Sequence, residues 1–311
     1  MYLLNKIRRK FFPRTLPAPS TTEAALITRL REQISSLPEL VIPDNVSAAE
    51  KAWLQSRAEM RAALLEKDPR DFLRFDVIRQ TMFVDHPTYI RTEYYHLRRL
   101  PRWKTRWRDA IDESDRLLVP RCPYYWRSSG NMIHYAFHLA QFERHTGVRI
   151  SDVHSVLEFG GGYGGMCRLL YRLGHLHSYT ILDLPECSAL QQFFLGINGI
   201  QVGGIEDEND GFKVRCVSDG SSALSEAIAE TEADLFIATW SISETPIDFR
   251  TALLDQPNVR YMLIRYQEKF TNIDNIRFFR EWSESRKNWR WTHVRCEHMP
   301  GSQYYLFGVR G

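Results

Sequence analysis

The two halves of the chain differ in the spacing of their apolar residues. Between residues 23 and 147, apolar residues recur every three or four positions, as in the segment 48–66, and this spacing predicts amphipathic helices. After residue 148, short β-branched or aromatic runs alternate with helical stretches. This alternation predicts a parallel sheet covered by helices on both faces.

The apolar runs also give approximate bounds for each element. The predicted helices are 24–36, 48–66, 71–83, 89–100, 131–146, 165–173, 189–198, 222–230, 247–254 and 273–287, and the predicted strands are 153–159, 178–184, 212–217, 233–242, 260–266, 289–297 and 303–309. A short turn joins the last two strands, so we expect them to form an antiparallel hairpin. Three parts are predicted: a basic tail and linker at 1–22, a helical region at 23–147 and an α/β domain at 148–311.

Composition and charge narrow the functional classes. The 311 residues are 43% apolar and 25% charged, as in ordinary globular proteins, and the formal net charge of +3 is too small to indicate a general nucleic-acid binder. The five cysteines lie far apart without a CxxC pair, which predicts a reduced chain without disulfides or structural zinc. We therefore expect a cytoplasmic protein.

The first 14 residues combine five basic residues with scattered apolar ones and contain no acid. Two interpretations remain open: a solvated tail, or a weak anchor whose apolar side chains enter an anionic membrane surface. The tail is favoured, because one short amphipathic segment binds membranes only marginally. At most, we expect peripheral contact with the inner face of the membrane.

The most informative segment runs from Val156 to Gly165, where a predicted buried strand ends in a glycine cluster and a helix follows. Glycines let the backbone approach a ligand, and the N–H groups at the start of a helix point towards it. The cluster fits the dinucleotide pattern G-x-G-x-x-G and also the pattern E-x-G-x-G-x-G of S-adenosylmethionine enzymes. The glycines alone therefore leave both cofactor classes open.

Two acidic residues help to choose between these patterns. Asp183 ends the next strand, where a carboxylate can accept hydrogen bonds from ribose hydroxyls in either cofactor. Glu158 favours a cofactor with a cationic sulfonium and would repel a pyrophosphate. The predicted terminal hairpin also favours S-adenosylmethionine, because dinucleotide-binding sheets are mostly parallel. We expect S-adenosylmethionine, with predicted contacts at Glu158, Gly160, Gly161, Gly162, Tyr163, Gly164, Asp183, Leu184, Asp219 and Trp240.

Several segments resemble the sugar O-methyltransferases, a bacterial branch of the class I S-adenosylmethionine-dependent enzymes. They are 157–165, 181–186, 239–244, Tyr266-Gln267 and Asp274-Asn275, and the match spans most of 131–309. The resemblance implies a Rossmann-like, mixed sheet of seven strands with an antiparallel last strand, and methyl transfer to a hydroxyl of a sugar or glycoconjugate. The resemblance implies nothing for the residues before Asn131, and we separately expect the helical region at 23–147 to cover the acceptor site as a lid.

Methyl transfer to a hydroxyl needs a base, or a divalent metal that acidifies the hydroxyl. Glu244, at the end of the fourth strand, is the first candidate base; the alternative is a charge at the start of the next helix, with Ser243 as N-cap. Further candidates for binding the acceptor follow the fourth and fifth strands, and these are Ser243, Tyr266, Gln267 and Asn275. As an alternative, Asn275 caps a helix. Trp240 could form a wall against which a sugar stacks, but a core residue is slightly favoured.

A second group of candidates lies in the predicted helix at 131–146. His134 is the second candidate base, and Asn131 and Tyr135 are candidates for binding the acceptor. His138 lies one turn after His134, but no acidic ligand accompanies the pair, so a metal is not predicted although a divalent ion would suit the chemistry. Buried histidines at a domain junction are the alternative, which is favoured for His138.

Basic and aromatic residues alternate between Arg91 and Arg108. Such a run can bind single-stranded nucleic acid, an anionic saccharide or a nucleotide-linked sugar, or can form a solvated helix face. RNA is the less favoured partner because the chain is nearly neutral. The predicted partner is a small-molecule or glycan acceptor, and RNA methyl transfer and cofactor binding without catalysis remain the alternative functions.

Overall fold

The computed structural model describes residues 15–41, 46, 48–84, 86–174, 176–203, 212–218, 227–228 and 230–311. The N-terminal tail, Asp219 and most of the predicted helix at 222–230 lie outside these ranges. Within them, the chain forms two compact units, one of residues up to 137 with 189–200 and one of 138–188 with 201–311. The roles predicted for 23–147 and 148–311 stay predictions, since compactness does not test them.

The first unit is helical, in agreement with the spacing of its apolar residues. Its elements are α1 (Thr21–Ser36), α2 (Ala48–Glu66), a 3-10 turn (Pro69–Arg74), α3 (Asp76–Thr81), α4 (Pro87–Arg98), a π-helical turn (Trp103–Trp107), α5 (Arg108–Ala110) and the first part of α6 (Gly130–Thr146). The predicted helix at 71–83 is interrupted at Phe75, whose backbone is extended. No helix in the described residues has both the length and the apolar character needed to cross a membrane.

The second unit contains the sheet. Its strands are β1 (Ser155–Phe159), β2 (Ser178–Leu182), β3 (Lys213–Val217), β4 (Leu235–Thr239), β5 (Tyr261–Gln267), the two-residue pair β6 (Lys269–Phe270) and β7 (Ile273–Asp274), β8 (Trp289–Arg295) and β9 (Gln303–Arg310). Its helical elements are α7 (Gly165–Leu173), α8 (Pro185–Ile197), α9 (Ile247–Asp255), α10 (Asn275–Glu284) and 3-10 turns at Ile150–Asp152 and Ser241–Glu244. Residues 189–197 of α8 belong to the first unit.

The strand order in the seven-stranded sheet is β3-β2-β1-β4-β5-β9-β8. β1 to β5 are parallel, and β9 runs antiparallel to both β5 and β8. This topology confirms the predicted Rossmann-like mixed sheet, its antiparallel last strand and the terminal hairpin. The chain changes direction across the sheet between β1 and β4, and ligands bind outside the carboxyl ends of strands at such a switch point.

Alternation along β1 places two different environments on the two faces of the sheet. Leu157 lies in an apolar cluster with Phe236 of β4, Ile264 of β5 and Phe279 of α10. Glu158, the next residue, therefore points to the opposite face. This alternation brings a carboxyl group under the segment that follows β1.

Candidate functional site

The glycine loop, Gly160 to Gly165, connects β1 to α7. Gly160, Gly162 and Gly164 have φ angles of 72°, 59° and 88°, a region that L side chains rarely adopt. A Cβ atom on Gly160 would lie 2.2 Å from the Cβ of Ser241, the first residue of the 3-10 turn after β4. The loop therefore has no room for side chains on this flank, and its backbone can approach a ligand closely.

Asp183 lies directly after β2 and is bonded to the glycine loop. Its carboxylate accepts the backbone N–H of Gly162 and that of Leu184, both at 2.8 Å. The structure thus brings Asp183, Leu184 and the predicted glycines together at the carboxyl ends of β1 and β2.

Glu158 lies beneath the same loop. It is 2% exposed, and its Oε2 accepts a hydrogen bond from the hydroxyl of Tyr179 at 2.8 Å. A Cβ atom on Gly161 would lie 2.7 Å from that oxygen. Burial raises the pKa of Glu158 to about 8, against the lowering effect of Tyr179 and together with the charge of Asp183. Burial therefore favours the protonated carboxyl group, which weakens the predicted attraction to a cationic cofactor, and the contact of Glu158 with the cofactor stays a prediction.

Trp240 directly follows β4 and is held on two sides. Its backbone φ is 64°, a conformation that costs a non-glycine residue about 1–3 kcal/mol and that often marks a functional site. The indole Nε1 donates to Oε1 of Gln303 at 2.8 Å, and the guanidinium of Arg265 lies 4.3 Å from the ring centre. The ring is half-buried, so it can form a fixed wall at the carboxyl end of β4. By contrast, the side chain of Tyr163 is buried in the interior.

Glu244 ends the 3-10 turn after β4 and is half-buried. Gln267 at the end of β5 donates from Nε2 to Oε1 of Glu244 at 3.3 Å. Burial raises the pKa of Glu244, and the bond from Gln267 lowers it. α9 begins at Ile247 with Pro246 as N-cap, so the alternative in which Ser243 caps this helix is wrong. Glu244 instead lies next to Gln267 with a pKa displaced towards neutral, which suits a general base.

Three predicted acceptor contacts have internal roles instead. Tyr266 is 1% exposed and packs on the ring of Phe279, with 4.4 Å between ring centres. The hydroxyl of Ser243 is buried and lies 2.8 Å from Oε1 of Gln267. Asn275 is also buried and donates to the carbonyl of Gln267 at 2.9 Å, while Asp274 is the residue that caps α10. Burial and internal hydrogen bonds prevent these side chains from contacting an acceptor in this conformation.

The candidates in α6 that belong to the first unit are also buried. His134 and Glu93 are both 0% exposed, and His134 Nδ1 lies 2.8 Å from each carboxylate oxygen of Glu93. Asn131 accepts the N–H of Val84 at 2.6 Å and donates to the carbonyl of Met82 at 2.8 Å. This corrects the expectation for both residues, because their polar atoms hold the first unit together. Tyr135 is half-buried and stays a candidate.

His138 lies in the second unit and is buried, as in the alternative of a structural histidine that the sequence favoured. Its Nδ1 is 2.6 Å from the hydroxyl of Tyr305 on β9, and both side chains are buried. Among the residues that the structure describes, no group of three or more His, Cys, Asp or Glu residues could hold a metal ion.

Three of the four tyrosine and tryptophan rings in the basic and aromatic stretch are buried. Tyr94, Trp103 and Trp107 are 7%, 8% and 1% exposed, and the rings of Tyr94 and Trp103 pack edge to face at 5.8 Å. Tyr95 is exposed. Stacking of single-stranded nucleic acid needs a series of accessible aromatic faces. The buried rings therefore weaken the stacking part of the observation that supported RNA, and RNA stays an alternative partner.

Comparisons with known proteins give structural neighbours only. No protein-family model matches the sequence, and no curated protein matches it. The O-methyltransferase from Bacillus cereus in complex with SAH is similar, with a TM-score of 0.42 and 11% identity over 75% of this chain and 95% of that chain. Cofactor-bound Rv0187 from MTB has a TM-score of 0.42 and 12% identity over 79% of this chain and 98% of that chain. TrmK from M. capricolum in complex with S-adenosyl-homocysteine has a TM-score of 0.37 and 9% identity over 55% of this chain and 67% of that chain. Because all three TM-scores are low, we infer function from the residues of this chain.

Proposed function

We propose that this chain is an S-adenosylmethionine-dependent O-methyltransferase. The observation that carries the proposal is the carboxylate of Asp183, which is fixed by the N–H of Gly162 at the carboxyl end of β2. A carboxylate at this position accepts hydrogen bonds from the two hydroxyls of a ribose. The glycine loop fits such a nucleoside, since Gly160 and Gly161 leave no room for a Cβ atom on their packed flanks.

The cofactor would be held by the backbone of the glycine loop, by Asp183 and by the residues that follow β2 and β4. When bound, S-adenosylmethionine supplies a methyl group on a cationic sulfur, and the electrons of the broken C–S bond stay with that sulfur. Glu158 lies against Gly161 beneath the loop, and its carboxyl group accepts the hydrogen bond of Tyr179. The mixed sheet, with β9 antiparallel between β5 and β8, supports this cofactor over a dinucleotide, whose sheets are mostly parallel.

Glu244 acts as the general base in this proposal. An acceptor hydroxyl is a poor nucleophile until its proton is removed, so the proton passes to the carboxylate of Glu244 as the oxygen bonds to the methyl carbon. Gln267 orients that carboxylate through its 3.3 Å hydrogen bond. The raised pKa of Glu244 makes it a stronger base than an exposed carboxylate.

A sugar or glycoconjugate is the acceptor that these side chains favour. The half-buried ring of Trp240 offers a flat apolar face, and Gln267 and Glu244 offer polar atoms at the neighbouring strand end. A sugar ring combines an apolar face with hydroxyl groups and so matches both features. The pair of His134 and Glu93 is buried within the first unit and is given no role in this proposal.

Cofactor binding tests the proposal first. Asp183→Ala should weaken S-adenosylhomocysteine binding by about 10- to 100-fold in isothermal titration calorimetry, because hydrogen bonds to a charged group are lost. Asp152→Ala, which removes a half-exposed carboxylate before β1, is the matched control and should bind normally. Equal affinity in wild type and Asp183→Ala, or binding of NAD in place of S-adenosylhomocysteine, would contradict the proposal.

An assay of methyl transfer tests the proposed catalysis by Glu244 and the proposed acceptor class. Wild-type protein should transfer a tritiated methyl group from S-adenosylmethionine to a glycan extract of bacterial envelopes, and Glu244→Gln should not. Cofactor binding without any transfer would favour the noncatalytic alternative. Transfer to RNA and not to glycan would instead support the RNA alternative.

A further inference from the structure

A fully buried arginine in α9 takes part in none of the contacts assigned so far. Arg250 is 0% exposed, and its Nη2 donates to the carbonyls of Ser243 and Thr245, both at 2.8 Å. These two residues flank Glu244 in the sequence. One guanidinium nitrogen therefore holds the backbone on both sides of the proposed base.

A second connection reaches the carboxyl group of Glu244 itself. Arg250 Nη1 donates to Oδ1 of Asn275 at 2.7 Å, and Asn275 Nδ2 donates to the carbonyl of Gln267 at 2.9 Å. The side chain of Gln267 then donates to Glu244 at 3.3 Å. Arg250, Asn275 and Gln267, which we call the Arg250 network, thus fix both the turn and the carboxyl group.

The environment of Arg250 is unusual for a structural cation. Within the part of the chain that the structure describes, its hydrogen-bond partners are all neutral. Burial lowers the pKa of its guanidinium to about 10, and the ring of Phe278 lies 4.7 Å from it. The ring of Phe279 lies at 5.7 Å. A buried charge that is compensated only by dipoles and two rings is costly, and packing alone does not require it.

We propose that Arg250 is a positioning residue for Glu244, which keeps the carboxyl group of the base aligned with the acceptor hydroxyl. The inference rests on the proposed function of Glu244 as the base. It explains why a cation lies behind the turn and not beside the carboxylate, where a direct ion pair would make the base weaker.

Kinetics of three variants test the inference. Arg250→Met should lower kcat for methyl transfer to the glycan extract by about 10- to 100-fold, as expected for a misplaced catalytic group, with unchanged affinity for S-adenosylhomocysteine. Arg250→Lys should retain more of the rate, because an ammonium group can still donate to the carbonyls. Gln267→Met should also lower kcat, and it keeps the experiment informative if Arg250→Met does not fold.

A measurement independent of turnover completes the test. Carbon-13 NMR of protein labelled at the glutamate carboxyls gives the titration of Glu244, whose signal is assigned with Glu244→Gln. In Gln267→Met, the pKa of Glu244 should rise further, because burial remains and the hydrogen bond that lowers it is lost. In Arg250→Lys, the titration should also differ from that of wild type.

The outcomes separate the inference from the proposed function. If Glu244→Gln abolishes transfer while Arg250→Met and Arg250→Lys keep the wild-type kcat, the inference is wrong and the proposed function stands. If wild type neither binds S-adenosylhomocysteine nor transfers methyl groups, the proposed function fails, and the inference falls with it. The inference would also be overturned if the titration of Glu244 is unchanged in both Gln267→Met and Arg250→Lys while kcat and cofactor affinity fall equally. That result would indicate a purely structural role for Arg250.

Discussion

The carboxyl group of Glu158 beneath the glycine loop should make the stability of the protein fall as the pH rises. Its pKa is about 8 in the folded protein and 4.5 at its ordinary value. The folded state therefore binds this proton more tightly than the unfolded state between those pH values. The contribution is fully present below about pH 4.5 and is lost as the pH rises towards about 8.

The size of the effect follows from the difference between the two pKa values. A gap of about 3.5, at about 1.36 kcal/mol for each pKa unit, gives about 5 kcal/mol as an order of magnitude. Glu158→Gln removes the titration and keeps an oxygen that can accept the Tyr179 hydroxyl. The variant should therefore match wild type near about pH 4.5 and exceed it by several kcal/mol near about pH 8.

Urea unfolding measured from about pH 5 to about pH 8.5 provides the assay, with the free energy of unfolding taken from midpoint and slope at each pH. Glu284→Gln, a change at an exposed carboxylate at the end of α10, serves as the control and should follow the wild-type curve. Parallel curves for wild type and Glu158→Gln over this range would refute the reasoning, because the carboxyl group would then have the same proton affinity in both states.

Three further predictions concern the loop, the base and the basic stretch. Gly160→Ala should destabilise the protein and weaken S-adenosylhomocysteine binding, because the new Cβ collides with Ser241. Gly174 has a similar φ of 80° but nothing within 4 Å of its Cβ position, so Gly174→Ala should cost only about 1–2 kcal/mol for the left-handed backbone. Equal thermal denaturation midpoints for the two variants would contradict the collision. The kcat of methyl transfer should fall on the acid side as Glu244 is protonated, with a midpoint above that of an ordinary glutamate, and a flat acid side would argue against Glu244 as the base. Because most of its rings are buried, the stretch 91–108 should bind single-stranded RNA weakly in fluorescence anisotropy, and tight binding with a steep salt dependence would revive the RNA alternative.

Local patterns in the sequence predicted most of the fold. The bounds of α2 and α7 agree with the predicted segments 48–66 and 165–173, since both have regular helical spacing and clear flanking residues. The strand predicted at 233–242 ends instead at Thr239, because the positive φ of Trp240 turns the chain away from the sheet. No sequence rule places a tryptophan in that conformation.

The site was predictable only where its parts are close in sequence or lie at neighbouring strand ends. The approach of Asp183 to the glycine loop follows from the parallel pairing of β1 and β2. The burial of His134 depends on Glu93, the only acid in the basic stretch, and this pairing has no sequence signal beyond that isolated charge. Arg250 has no motif at all, because a single basic residue in a helix normally faces solvent.

The position of β9 also constrains the order in which the sheet can be assembled. Among the described strands, β8 pairs with β9 alone, and β9 forms the bridge to β5. During synthesis on the ribosome, β8 emerges before the strand that will join it to the rest of the sheet. A stalled chain that lacks β9 would expose the tryptophans Trp289 and Trp291 on a strand without a neighbour, and such a strand is prone to aggregate until translation resumes.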